Sequence, residues 1–309
     1  MRAQFEEKQY EYAFNRELEG GIPPFGLVLP SGQVLEAIVG YDTAANPDPV
    51  NTVWRILRVP SPGGLIVQPN TWRPGSQPRT VQLPASPVSL FLQFKRPDWV
   101  DNPKAPQWHL WTQPYFRFSI DPKQQSTLVR LERRVRGHAL VRYAAPAYWM
   151  SADLYRHNEN RETIKNSGFL SPGRMRNHLV WTYQTPGTRG KRNPDGDELD
   201  FESVWQLGQL LELRQTTGGE GDHPSTRLGG EVAVSPVPLI RHVFELAALI
   251  DEQYPFGRPL RSLTVEWRSR LAMALPDQRE DTLDAVAAAA AIMAFSKRAR
   301  CQWLVLDRA

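Results

Sequence analysis

The run HALVRYAAP at 138–146 is almost uninterruptedly apolar, and a strand of that kind belongs in the middle of a sheet, with neighbours on both edges and cover on both faces. A second strong strand, LFLQFK, occupies 90–95. Alternation puts Leu90, Leu92 and Phe94 on one side with Phe91 opposite, and it sets Gln93 and Lys95 next to each other on that other side. A buried lysine is costly. The pair therefore marks either an edge strand whose lysine snorkels into water or a face where other parts of the chain give the ammonium something to do.

The rest of the chain must build around those two strands. A helical spacing of Phe5, Tyr10, Ala13, Phe14 and Leu18 predicts a helix over 3–19, ended by Gly20-Gly21 and Pro23-Pro24. Strands follow at 25–30 and 36–44 across a Ser31-Gly32-Gln33 turn. A proline-rich excursion at about 46–87 holds strand candidates at 50–59 and 64–69, and interleaved Trp54 and Trp72 mark it as ordered loops. After LFLQFK comes aromatic strand or loop material, WHLWTQPYFRFSI. A helix over 121–137 then starts at Asp121-Pro122 and stops at Gly137. Ser151 caps a short helix, 177–184 is a strand, and 200–215 is an amphipathic helix. Residues 216–230, TTGGEGDHPSTRLGG, have linker composition. Helices at about 238–253, 259–275 and 279–300 precede a last strand, QWLVLD. The expectation is an α/β class body over 1–215, a mixed central sheet flanked by helices, and a mostly helical region at 231–309 used for assembly or partner docking.

Composition narrows the classes. With 309 residues, 41% hydrophobic and 23% charged, the chain can bury a substantial core. Its net charge of +4 permits contact with a polyanion without requiring it. Basic residues cluster at VRLERRVRG, with Arg130, Arg133, Arg134 and Arg136, and at GTRGKR, with Arg189, Lys191 and Arg192. A solvated helix face is the alternative use of the first cluster. A single cysteine, Cys301, excludes an intrachain disulfide and a cysteine-based zinc site, and predicts a reducing, cytoplasmic setting. The opening MRAQFEEKQYEYAF is too polar for a signal peptide, and LDAVAAAAAIMAF at 283–295 is too short to cross a bilayer. The six histidines show no HxxxH or HxH spacing, NPDGDELDFE misplaces the glycine and glutamate of a calcium loop, and neither a Walker sequence nor a GxSxG elbow is present.

Helix, VGYD at 39–42, LQFK at 92–95, basic helix and apolar strand, in that order over roughly 5–150, resemble the PD-(D/E)xK nuclease superfamily. The resemblance is strongest to Mrr-type restriction endonucleases and antiphage effector nucleases in which glutamine replaces the usual acidic residue before the lysine. It implies a restriction-endonuclease-like fold and a metal-dependent DNA endonuclease, the effector subunit of an antiphage or restriction system working with protein partners such as an ATPase or helicase. Asp42 and Gln93 stand 51 positions apart, so the proline-rich segment is an insertion in that pattern.

The implied chemistry is phosphodiester hydrolysis, in which Mg²⁺ or Mn²⁺ held by oxygen ligands activates water and stabilises phosphate charge. Asp42 would anchor the metal, Gln93 would add an amide oxygen, and Lys95 would orient the attacking water. A carboxylate from the first helix is needed as well. Glu17 borders the buried stripe of that helix and is the first choice, with Glu11 second and Glu36 third. Asp42 alternatively caps a turn, and Glu11 and Glu17 alternatively face solvent. Gln124, Gln125, Lys165, Arg174, Arg176 and the basic clusters would track a phosphate backbone, with Tyr143, Tyr148, Trp149 and Trp181 available to stack on bases or to fill the core. The competing expectation, favoured by the missing acid at 93, is a non-catalytic nucleic-acid-binding or scaffold subunit.

Overall fold

The structure, a computed structural model, describes residues 1–18, 25–30, 57, 87–175, 178–187, 189–193, 198–203, 205–210, 237–251, 259–276 and 279–308. It is mixed α/β, with two five-stranded sheets. The first contains β1 (Phe25–Pro30), β2 (Val88–Phe94), β5 (Ala139–Pro146), β6 (Ser167–Leu170) and β10 (Gln302–Arg308), in the order β1-β10-β2-β5-β6. β2 and β5 run parallel, Leu90 opposite Leu140 and Phe94 opposite Ala144, and the other pairs are antiparallel. Every residue of β2 and of β5 is buried, as the apolar runs predict.

The parallel pair needs a crossover, and α3 (Pro122–Arg134) makes it. Asp121 caps this helix by accepting from the Gln124 N–H, Pro122 sits in its first turn, and Gly137 at φ 93° turns the chain into β5. Between β2 and α3 the chain leaves the first sheet to form β3 (Asp98–Val100), the turn α2 (Trp108–Trp111) and β4 (Tyr115–Ser119). These join β7 (Val180–Tyr183), β8 (Arg189–Asn193) and β9 (Glu198–Asp200) in an antiparallel second sheet ordered β3-β4-β7-β8-β9. The sequence reading expected β7 but not this sheet, because its strands are short and carry polar residues outward. Residues 189–192 of the basic GTRGKR run and the ELD of NPDGDELDFE are both strands within it.

Two apolar cores lie on opposite faces of the first sheet. On one, α1 (Glu7–Leu18) sets Tyr10 and Phe14 against Phe94, with ring centroids 5.5 and 5.1 Å away, beside Leu90, Leu92 and Leu140. Alpha-helix α4 (Ser151–Asn160) packs against α1 there. On the other, Phe91, Val141, Tyr143, Trp303 and Val305 meet α3, the second sheet and the C-terminal helices α6 (Val237–Asp251), α7 (Leu260–Ala274) and α8 (Glu280–Arg298). Alanines 287–291 of α8 are all buried, which lets this helix lie close to its neighbours. A short helix, α5 (Pro172–Met175), follows β6, and Gly168 of β6 lies under Phe201, where an added Cβ would sit 1.7 Å from the ring.

The C-terminal region also contributes to the first sheet. Its last strand, β10, pairs with β1 on one side and β2 on the other. The apolar stripe Leu239, Val243, Leu246 and Ile250 of α6, expected to suit either an interface or a core, is buried in this chain's own core. The segments 36–44, 50–59, 64–69 and 216–230 lie outside the described residues, apart from Leu57.

Two buried polar links tie these layers together. Arg142 of β5 donates from Nε to Glu202 at 2.5 Å and from one terminal nitrogen to Glu132 of α3 at 3.0 Å, while Glu132 also accepts from Ser171 and the Gly173 N–H. Removing one partner of such a group strands the others' charge, so Arg142→Ala is expected to lower the unfolding free energy by about 3–5 kcal/mol in urea titration. The second link pins α6 to the sheet. The Trp303 indole donates to the Ser89 hydroxyl at 2.9 Å, and Ser89 bonds His242 Nε2 at 2.8 Å.

Burial, helped by nearby His138, pushes the His242 pKa down to about 4. Between its ordinary 6.5 and that value the unfolded chain binds a proton that the folded chain refuses, so stability falls as pH drops through this window. The loss is on the order of 3 kcal/mol by pH 4. His242→Gln is expected to flatten that part of a stability-versus-pH curve measured by denaturant titration.

Candidate functional site

Four element ends meet around Lys95: the carboxyl end of β2, the amino ends of α1 and α3, and the carboxyl end of α8. Gln93 and Lys95 share the face of β2 that Phe91 occupies, as alternation requires. The backbone N–H of Lys95 still donates to Ala144 of β5 at 2.8 Å, so the lysine is held as a continuation of the strand. It is 8% exposed, which sets aside the snorkelling edge strand. Its Nζ donates to Gln124 Oε1 at 3.1 Å and lies 5.4 Å from the centre of the Tyr143 ring.

Gln124, from the first turn of α3, fastens the pocket. Its amide nitrogen donates to Gln93 Oε1 and, at 3.3 Å, to the Ala299 carbonyl just beyond α8. The Gln93 amide nitrogen is turned back to the Phe94 carbonyl at 3.0 Å. Next along α3, Gln125 accepts from the Tyr143 hydroxyl and donates to Pro172 O at 2.8 Å, which fixes the ring under the ammonium.

The electrostatics are those of a buried cation with charges of both signs nearby. Burial lowers the Lys95 pKa, the carboxylates of Glu7 and Asp121 push it back up, and the Arg300 guanidinium adds to the lowering. Burial raises the Glu7 pKa, and Lys95 is the largest influence opposing that rise. Exposed Asp121 is held below its ordinary pKa chiefly by the Gln124 N–H it caps. A lysine so placed is a ready hydrogen-bond donor to an anion and gives up its proton more easily than a solvated one.

The residues expected from sequence divide accordingly. Gln93 and Lys95 come together, and Asp42 and Glu36 lie outside the described residues. Glu17 is buried, but its carboxylate accepts from the Ile164 N–H at 3.0 Å and serves the turn before β6. Ten residues of helix, about 15 Å, separate it from Glu7, the α1 carboxylate that acts on Lys95. Glu11 pairs with Lys8 at 2.6 Å. Sequence periodicity could not choose between the two ends of α1, since Glu7, Tyr10, Phe14 and Glu17 share one stripe. No local signal marks Glu7; only the structure shows its neighbour Glu6 pairing at 2.6 Å with Arg96, the residue after Lys95.

The basic clusters are only partly available to a polyanion. Arg130, Arg133 and Arg134 are exposed on the outer side of α3, with Arg130 bonded to Ser126. On β8, alternation sends neighbouring side chains to opposite faces. Arg192 is buried and donates to the Arg174 carbonyl, Lys191 donates to Leu110 O at 2.6 Å over the Trp111 ring, and Arg189 is exposed beside Glu198. Of the aromatics considered for stacking, Tyr143, Tyr148 and Trp181 are buried, and Trp149 stacks on Trp99.

As donors to a hard cation, Gln93 and Glu7 fit in kind, one amide oxygen and one carboxylate. Among the described residues no group of three or more His, Cys, Asp or Glu could hold a metal ion. Asp42 and Glu36, the other carboxylates expected to take part, lie outside the described residues.

Two substitutions separate pocket from scaffold. Lys95→Met is expected to keep unfolding free energy within about 1 kcal/mol of the parent or to raise it, because a desolvated ammonium is removed. Glu17→Gln, which weakens a charged bond to a buried N–H, is expected to cost about 2 kcal/mol in the same denaturant titration. Comparison with family models, with curated proteins and with solved structures finds no match to this chain.

Proposed function

We propose that this chain is a nucleic-acid phosphodiesterase, a Mg²⁺- or Mn²⁺-dependent DNA endonuclease of restriction-endonuclease-like architecture, acting as the effector subunit of an antiphage or restriction system with protein partners such as an ATPase or helicase. The observation that carries the reading is the buried Lys95 at the carboxyl end of a parallel strand pair, braced by Gln124 beside Gln93. Sites in α/β sheets form outside the carboxyl ends of such strands. The β2–α3–β5 crossover supports the architecture, although β10, not the strand expected at 36–44, is the second neighbour of β2.

A bound divalent cation would supply an activated water and a Lewis acid for the phosphate, with Asp42, Gln93 and Glu7 as its holders. Lys95 donates hydrogen bonds to the attacking oxygen or to a phosphate oxygen as negative charge develops there. Gln124 keeps both the ammonium and the Gln93 amide in place, so little reorganisation accompanies the reaction. Tyr143 and the apolar wall beneath it limit water on the lysine's inner side, and the exposed arginines of α3 offer contacts to the strand backbone.

One feature favours the second reading, a nucleic-acid-binding subunit without catalysis: Gln93 Oε1 already accepts from Gln124. Plasmid incubation with Mg²⁺ or Mn²⁺, alone and with partner proteins, separates the two. Lys95→Ala, Asp42→Ala and Glu7→Gln are each expected to reduce cleavage by about 10²–10⁴-fold while DNA binding persists. Equal nicking by the parent and all three variants would remove the nuclease reading, and binding without any cleavage would favour the second.

A further inference from the structure

The junction between α8 and β10 brings another cation to the Lys95 pocket. Beyond Arg298 the chain makes one more right-handed residue, Ala299, and then Arg300 adopts φ 54°, the left-handed region where a glycine is at ease and an arginine is strained. The Arg300 N–H donates to Lys297 O at 3.2 Å and the Cys301 N–H to Ser296 O at 2.9 Å, so this turn is fixed by its own backbone. The Ala299 carbonyl accepts from Gln124, whose other atom accepts from Lys95. Arg300 is thus bonded, through one residue and one side chain, to the pocket.

Its side chain is exposed, and among the described residues no carboxylate lies within ion-pair distance of it. Its field attracts the Asp121 carboxylate, whose pKa it helps to lower, and repels the Lys95 ammonium. Thr112 and Arg161 end their helices in the same left-handed conformation, so the turn by itself does not call for the Arg300 guanidinium. That guanidinium does suit an anion that sits against Lys95 and Arg300 together, because its fork matches paired phosphate oxygens.

We infer that the α8–β10 junction is a phosphate subsite of the Lys95 pocket, in which Arg300 takes the non-bridging oxygens of a nucleic-acid backbone phosphate. This rests on the nucleic-acid reading above. It assigns the C-terminal region a direct part in holding substrate.

Arg300→Gly and Arg300→Lys test it. Glycine relieves the left-handed strain and removes the charge, whereas lysine keeps both strain and charge. Binding of a fluorescein-labelled DNA duplex is followed by anisotropy in chelator over a series of salt concentrations, with urea denaturation in parallel. Arg300→Gly is expected to be as stable as the parent or more so, to bind about tenfold more weakly, and to lower the salt slope by about one. Arg300→Lys is expected to recover part of the affinity and of the slope. Parent-like affinity and slope in Arg300→Gly would overturn the subsite, and so would a loss of stability that accounts for the weaker binding. A parent chain that binds no duplex would instead overturn the nucleic-acid reading and the subsite with it.

Discussion

The parallel register of β2 against β5 is the constraint on which the rest of the structure depends. A parallel pair cannot be closed by a hairpin, so the chain must cross over. Here it does so through the second sheet and then α3, whose first turn returns to the carboxyl end of β2. That turn then delivers Gln124 to Lys95 and Gln93, and its second glutamine to Tyr143.

Burying an ammonium next to that turn opposes stability, and the surrounding groups offset the cost only in part. One neutral amide, one aromatic face and two carboxylates at longer range leave the lysine with a lowered pKa. The Arg142 group shows what the same chain does when a charge is purely structural: Arg142 touches two glutamates directly, and one of those glutamates is further satisfied by Ser171 and Gly173. The two buried cations are solvated differently, and that difference separates the pocket from the scaffold.

Much of the first sheet was legible in the sequence because its signals are local. The apolar runs of β2 and β5, the Asp121-Pro122 start of α3 and the parity of Gln93 with Lys95 all depend on neighbours within a few positions. What depends on tertiary placement was not legible. Glu7 and Glu17 occupy the same stripe of α1, and only the packing of that helix decides which end meets β2. Alternation in β8 could not be applied until residues 189–193 were known to be a strand, which is why a basic run looked like a surface patch. The insertion of β10 between β1 and β2 was out of reach for the same reason. An apolar final strand says that it pairs, not with what.

That insertion has a consequence for how the molecule is made. Gln302 opposes Leu92 across 210 positions of chain, and β1 meets no other strand of the described sheet than β10. While the ribosome is still adding residues before 302, β1 and β2 have no partner on the edges that later face β10, and Ala299 has not arrived to meet Gln124. Such long-range closure is slow and leaves strand edges open to wrong partners. The contacts around Lys95 therefore form only after translation of the α8–β10 segment.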